Sequence, residues 1–531
     1  GLLSSPVKKK ISQWFLLRTL LTFYRRIIMY DNLKEYRTNL YATEGMKYPG
    51  KALVDMELRP DYAESKENKI KPMLALNEAQ LIMLVEQGIV SKEDGHTIAE
   101  ALERLDYSQY ESHEYTGEFE DLFFEIENDL IKLTDGLAGN IHIARSRNDM
   151  SLCMNHMVVR EKLLALIELV TEVRNTVRLF AEEHKDTLFV AFTHAQHAQP
   201  SVLGHYFLGA FDVLGRDIDR FHFAYEKVNQ SPMGAAAITT SGFPIDRFRV
   251  ADLLGFSSVI ENSFDAIGNI DFNTDTASAI MHAAIDLGRV VTDMVTWATQ
   301  DMDILRLADG YISTSSIMPQ KRNPIALEHL RASLSIVKGL SASVLDGYFK
   351  SPYGDISDHE DIVPILLQAI DLLSLNYRLF NAVVATMEVN KELLRKRAYE
   401  SFSVVTEMAD TIVRECDIPF RKAHQIVSRF VKEAEKKGLT LKTVDSDLFS
   451  SVYEEVMGNQ FTGDYDKIAR SLDPEHFVKI RTVYGGVAPS AMDEQFKHAE
   501  EKIKADINWN NTQSKLLKRA DKERKATIAL L

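Results

Sequence analysis

The chain has 531 residues, 45% of them hydrophobic and 26% charged, with 14 prolines and a formal net charge of -15. Its length is past the size at which one core stops growing, so two or three domains are expected, and the composition excludes a largely disordered or fibrous protein. The acidic balance leaves no general basic surface for nucleic acid, so an anionic small-molecule substrate needs a local cluster of cations.

Residues 1–29 form a basic leader, in which Lys8, Lys9, Lys10, Arg18, Arg25 and Arg26 accompany Trp14, Phe15, Leu16, Leu20 and Ile27. A transit-like segment, a surface helix and sequence upstream of a start at Met29 all fit this pattern, and the leader need not belong to the fold. No uninterrupted apolar run reaches the roughly 18 residues that cross a bilayer, so no membrane span is expected. Cys153 and Cys416 lie far apart, without the paired spacing of a zinc site or a disulfide framework, which points to a reducing, cytoplasmic setting.

Residues 30–145 carry patterns of shorter helices, and residues 146–395 carry long ones. Val159, Leu163, Leu166, Val170, Val173, Val177 and Phe180 alternate in steps of four and three, which places them on one seam of a helix. Ile280, Ala284, Leu287, Val291, Met294 and Ala298 repeat the pattern, as do Leu366, Ile370, Leu373, Tyr377, Phe380 and Val384. Seams of this length predict an all-α protein with a long central helical bundle, and apolar faces left over favour self-association. No strand alternation of comparable length occurs, and neither GxGxxG nor GxxxxGK is present, which argues against nucleotide-binding folds. Shorter helices return over residues 396–497, with a turn-rich stretch from Tyr484 to Pro489. Residues 498–531, rich in Lys, Arg and Asn, read as a solvated polar tail.

Three segments concentrate polar chemistry at the ends of long helices. The first, His142 to Asp149, offers Arg145, Arg147 and Asn148, which can grip carboxylates; its plainer reading is a charged helix start with Asp149 pairing one arginine. The second, Thr193 to Pro200, holds His194 and His197 just before another long helix. Histidine is the side chain best placed to exchange protons near neutral pH, although a lone one is more often structural. The third, Thr314 to Pro324, packs serines, cations, amides and prolines together, and could equally be a Pro-bounded turn capping a helix that begins near Ile325.

The run from Ser315 to Pro324, two serines followed by Met-Pro and then Lys-x-Asn-Pro, resembles the signature of the fumarase and aspartase superfamily. Ala144 to Asp149, Thr193 to Pro200, Phe243 to Arg247 and Arg481 to Gly486 resemble the argininosuccinate lyases within it, and the similarity runs from about residue 55 to 497. The resemblance implies three mostly helical domains, residues 30–145, 146–395 and 396–497, and a homotetramer whose active sites are each shared among three subunits. It implies β-elimination of fumarate from an N-succinyl compound, argininosuccinate giving arginine, with no metal or organic cofactor. By the same resemblance Ser315 is the base on a mobile loop, His194 protonates the leaving nitrogen, and Glu328 orients and charges that histidine. Lys321 and Asn323 would stabilise the dianionic, aci-carboxylate-like carbanion. Ser146, Arg147, Asn148 and Thr193 would hold the succinyl unit, Asp121 would be a substrate-side acid, and Tyr353 would bind substrate. Which of Ser315 and His194 gives the proton and which takes it stays open.

Several positions depart from the family pattern. Phe123 stands where His is usual and Met150 where Gln is usual, which removes polar groups near the expected pocket, and Thr314 replaces a Gly before the serines, which would stiffen the lid. The stretch Tyr353 to Glu360 falls where the family shows a Gln and a Lys that grip the carboxylate of the arginine half; Ser357 and an acid or His stand there instead. A leaving amine that lacks that carboxylate, or is more basic than arginine, is the expectation. Two alternatives stay open: another lyase of the superfamily, acting on adenylosuccinate or aspartate, and a non-enzymatic, crystallin-like structural homologue.

Overall fold

Helices with long apolar seams bury them by lying side by side, and the middle of the chain does so throughout. A computed structural model of the protein describes residues 33–531, and the leader expected at residues 1–29 lies outside the described residues. The chain divides into two compact units: the described residues up to Leu74 with Lys92–Ile141, and Ala75–Ser91 with His142–Leu531. The helix α1 (Ile70–Glu86) passes from the first unit into the second. Sequence breaks alone did not separate residues 75–91 from their neighbours; within the second unit Gln80 donates to the Ile143 carbonyl at 2.9 Å and Asn77 accepts from Arg145 at 2.8 Å.

In the first unit the helices Arg59–Asn68 and Leu122–Leu133 are joined by Tyr62, whose hydroxyl donates to Glu125 at 2.6 Å. In chain order the second unit runs α2 (Arg147–Glu183), α3 (Leu203–Val228), the short α4 (Arg247–Leu253), α5 (Asp271–Trp297), α6 (Ile325–Tyr348), α7 (Asp358–Thr386) and α8 (Pro489–Ile528). Phe180 meets Phe207 where α2 ends and α3 begins, and Tyr206 meets Trp297 where α5 ends. At the opposite end His156 bonds the Val228 carbonyl and stacks on Phe272, while Tyr348 bonds His359. So α2, α5 and α7 run one way and α3 and α6 the other. The 37 residues of α2 separate those two ends by roughly 55 Å.

Every seam residue named above is buried except Ala298, which caps α5 and is half-buried. By length and composition α7 is apolar enough to cross a bilayer, which a search for uninterrupted apolar runs missed. Its seam, from Leu366 to Val384, lies in the core of the bundle. The helices between Lys391 and Lys479 include a smaller core of their own, with Ile412, Ile426, Phe430 and Phe449 at its centre.

Two expectations need correction. The polar tail of residues 498–531 is mostly the far part of α8, which lies along α2. Its seam, Met492, Phe496, Ala499, Ile503, Asp506, Asn510, Gln513, Leu517, Ala520 and Arg524, keeps the same four-three spacing, but polar residues fill several positions. Three of those polar residues find partners: Asp506 pairs with the buried Arg174, Asn510 donates to Thr171 at 3.3 Å, and Arg524 donates to Glu78 at 2.8 Å. The segment from Leu188 to Val202 is an antiparallel hairpin, β1 (Leu188–Thr193) with β2 (Gln196–Val202). Its two-residue turn, His194 and Ala195, lacks the glycine and asparagine that usually announce such a turn, so the hairpin was illegible.

Candidate active site

The start of α2 is built by local capping. Ser146 takes the N-cap, its hydroxyl accepting from the Asn148 amide at 3.3 Å, and Asp149 returns the bond by accepting from the Ser146 amide at 2.9 Å. The second oxygen of Asp149 accepts from the amides of Gly234 and Ala236, both at 2.9 Å, and Asn148 donates to the Ala237 carbonyl at 3.2 Å. Asp149 therefore welds the turn carrying Ser146, Arg147 and Asn148 to the loop 233–246. Desolvation pushes its carboxyl up to about 6, against the pull of three backbone amides. Arg247, at the start of α4, holds the other side of that loop by donating to the carbonyls of Met233 at 2.8 Å and Ile260 at 3.0 Å.

Tyr353 lies in the segment between α6 and α7, where its hydroxyl donates to Asp265 at 2.9 Å. Its ring covers Gly268 so closely that a Cβ there would stand 2.8 Å from it. His359 is buried, bonded to the Tyr348 hydroxyl at 2.8 Å, and held down to about 4 by burial, so it supplies no cation. Met150 and Phe123 are both buried, at 1% and 7% exposure. Asp121 belongs to the first unit, where it caps the helix Leu122–Leu133 by accepting from the Phe124 amide at 2.9 Å.

At the opposite end of the bundle, His194 sits at the tip of the β1–β2 hairpin beside Thr193. Both turn residues have positive φ, 52° for His194 and 59° for Ala195, a left-handed pair that costs energy in residues with a Cβ. The neighbouring loop springs from a two-residue ladder, β3 (Ser313–Thr314) with β4 (Arg322–Asn323), so Thr314 lies in the ladder facing Arg322 and the Ser315–Lys321 loop projects from it. Ser315 Oγ accepts from the amides of Ile317 at 3.3 Å and Met318 at 3.1 Å. Two amide dipoles aimed at one hydroxyl oxygen favour its ionised form. Asn323 donates to the Ser313 hydroxyl at 3.3 Å, and Glu328 lies in the first turn of α6. His194, Lys321 and Glu328 are exposed, and Ile317 at the loop tip is 82% exposed.

One chain thus collects Ser315, Lys321, Asn323, Glu328, Thr193 and His194 at one end of the bundle and Ser146, Arg147, Asn148 and Tyr353 at the other. Among the described residues no hydrogen bond or ion pair joins the side chains of Ser315, His194, Lys321 and Glu328. Sequence reasoning named Asp149 only as a partner for an arginine and Arg247 only within a resemblance, and it missed Asn77; Asp149 instead accepts three backbone amides, although Ser146 with Asp149 three residues on is a readable capping box. The Arg481–Gly486 segment forms a turn: Arg481 pairs with the buried Glu407 at 2.5 Å, and a Cβ at Gly486 would stand 2.2 Å from the Arg481 carbonyl oxygen.

Comparison with known proteins gives two family matches, described as Lyase over residues 87–339 and as Argininosuccinate lyase C-terminal over residues 402–479. The chain is 35% identical over 430 residues to the argininosuccinate lyase of Methanosphaera stadtmanae, covering 81% of this chain and 92% of that one. It is 36% identical over 461 residues to argininosuccinate lyase 2 of Agrobacterium fabrum, covering 86% and 92%. Among solved structures, EDDS lyase in complex with formate matches with a TM-score of 0.78 at 28% identity, covering 89% of this chain and 92% of that one. The class II fumarase of Schistosoma mansoni matches with a TM-score of 0.62 at 14% identity, covering 80% and 91%, a likeness of fold alone.

Proposed function

This chain belongs to the argininosuccinate lyase family, and we propose how it carries out that family's reaction, the elimination of fumarate from an N-succinyl amine. The single observation that carries the proposal is the environment of Ser315, whose Oγ already accepts two backbone amides, as a serine acting as a base requires. Ser315 removes the proton next to a succinyl carboxylate. Lys321 and Asn323 stabilise the dianion that develops. His194, set by Glu328, delivers a proton to the departing nitrogen, and fumarate and the free amine leave. Arg147, Asn148, Ser146 and Thr193 hold the carboxylates, and closure of the Ser315 loop excludes water.

The roughly 55 Å between the two ends of α2 means that one chain cannot put Arg147 and Ser315 into one cavity. The proposed assembly is therefore a homotetramer in which ends of different protomers meet. A groove of about 1200 Å³ between α3, α5 and α6, lined by Gly209, Ala284 and Gly288 together with charged residues such as Arg216, Arg289 and Asp293, offers a face for a second copy. Asp121 acts as a substrate-side acid, and a cytoplasmic setting fits the two unpaired cysteines.

Argininosuccinate is the proposed substrate. A second reading, a more basic amine or one without a carboxylate, is favoured by Asp355, Asp358, Glu360 and Asp361 standing beside a buried, neutral His359. Following fumarate absorbance with argininosuccinate, adenylosuccinate and aspartate offered in turn, and then with a decarboxylated analogue of argininosuccinate, separates these readings. Turnover of argininosuccinate alone supports the first, and no preference for an amine lacking the carboxylate removes the second. Silence with all of these favours an unknown amine or a structural role.

A further inference from the structure

Arg524 is buried at 7% exposure near the end of α8, in a region beyond both family matches. Its guanidinium spends all its nitrogens: Nε donates to Glu78 at 2.8 Å, Nη1 to the Leu253 carbonyl at 3.1 Å, and Nη2 to Asp521 at 2.5 Å. A buried arginine so fully bonded is costly to keep unless its partners are held in place.

Two of those partners, Glu78 and Leu253, lie on the two supports of the Ser146–Asn148 turn, and Asp521 lies on α8 itself. Glu78 sits on α1, beside Asn77 and Gln80, which hold Arg145 and the Ile143 carbonyl directly before Ser146. Leu253 ends α4, whose first residue, Arg247, fixes the loop that Asp149 and Asn148 grip. A second arginine repeats the tie. Arg249 on α4 donates to Glu86 on α1 at 2.9 and 3.1 Å and to Glu523 on α8 at 2.7 Å. Without α8, α1 and α4 would keep the Arg249–Glu86 pair but lose Arg524, the guanidinium that bridges Glu78 to the Leu253 carbonyl.

We infer that the last turns of α8 are a positioning element for substrate binding: Arg524, seconded by Glu523, clamps α1 to α4 and thereby fixes the turn that presents Arg147 and Asn148. Neither residue is placed in contact with substrate. The clamp acts on the binding end of the bundle and leaves the hairpin carrying His194 untouched. For catalysis the inference rests on the proposed function; for geometry it does not.

The test compares Arg524→Gln with Lys502→Gln in the full-length protein. Lys502, on the same helix as Arg524, makes an exposed pair with Asp212 of α3 at 2.7 Å and serves as the control. Amide hydrogen exchange reads the clamp without any substrate. Arg524→Gln should accelerate exchange about tenfold or more at residues 143–149 and 234–237, with none at 188–202, while Lys502→Gln changes neither. In steady-state assays with argininosuccinate, Arg524→Gln should raise KM roughly tenfold with kcat little altered, and Arg524→Lys should recover part of it. Should Arg524→Gln fail to fold, Glu78→Gln cuts one arm of the clamp and should give the same pattern at smaller amplitude. Unchanged exchange at 143–149, or equal acceleration at the hairpin, overturns the inference. A wild-type protein silent toward argininosuccinate would fail the substrate assignment, while the exchange result would still decide the clamp.

Discussion

At the start of α2 the polar groups around Arg147 and Asn148 are held from other segments: Asp149 by three amides, Arg145 by the buried Asn77, and the facing loop by Arg247. At the other end of the bundle His194 rides a left-handed turn, Lys321 and Glu328 are exposed, and Ser315 is held only by amides of its own loop. The first region is tied to several other segments, and in the second the Ser315 hydroxyl is bonded within its own loop. Groups that bind carboxylates gain from fixed geometry, because positional freedom lost in advance is not lost again on binding. Groups that transfer protons under a closing lid need a loop that can open for release.

The widest test of this contrast is Ser315→Ala. It should lower fumarate release about 10³-fold while leaving the melting temperature unchanged, since the hydroxyl supports only its own loop. A residual rate within tenfold of wild type would take the proton-transfer role from Ser315. Asp149→Ala strikes the rigid end and should do the reverse. It strands the amides of Ser146, Gly234 and Ala236, costing about 3 kcal/mol or more in urea unfolding, with a higher KM among the molecules that remain folded.

The pH dependence of stability sharpens the comparison further. Burial holds His156 and His359 down to about 4, so between about 6.5 and 4 the unfolded chain takes up protons that the native state refuses. Their contribution is full above pH ~6.5 and is lost as the pH falls through that window, on the order of 3 kcal/mol each. Asp149, raised to about 6, opposes this with stability that is present at low pH and lost as the pH rises toward 6. Urea midpoints should therefore fall from pH 7 to pH 4.5, and a flat or rising series would contradict the burial of these imidazoles. The smallest effect belongs to Ala195→Gly. Relieving one left-handed Cβ should add about 1 kcal/mol of stability while slowing turnover a few-fold as His194 loosens. A faster enzyme would show that the strain does no positioning.

The bundle was legible in the sequence because its seams are filled by apolar side chains, from Val159 to Phe180 and from Leu366 to Val384. The far half of α8 keeps the same period, yet was unreadable while Asp506, Asn510 and Arg524 were counted as solvated; their partners Arg174, Thr171 and Glu78 lie hundreds of residues away. The hairpin was hidden because its turn uses His194 and Ala195 where glycine or asparagine is the usual sign. The motifs that carry the proposed site residues were legible, and the capping of Ser146 by Asp149 followed from spacing. Their distribution between two ends of a bundle did not, since that depends on helix direction and length, which no local pattern encodes.

The claim that ends of different protomers share each active site meets its most direct test in mixed assemblies. Ser315→Ala and Arg147→Ala proteins, each nearly inactive alone, are unfolded together, refolded, and assayed for fumarate release. Shared sites predict recovery of a sizeable fraction of wild-type activity, because some sites then draw an intact Ser315 from one protomer and an intact Arg147 from another. Activity no greater than the sum of the two separate variants, in oligomers verified to contain both chains, would contradict the account.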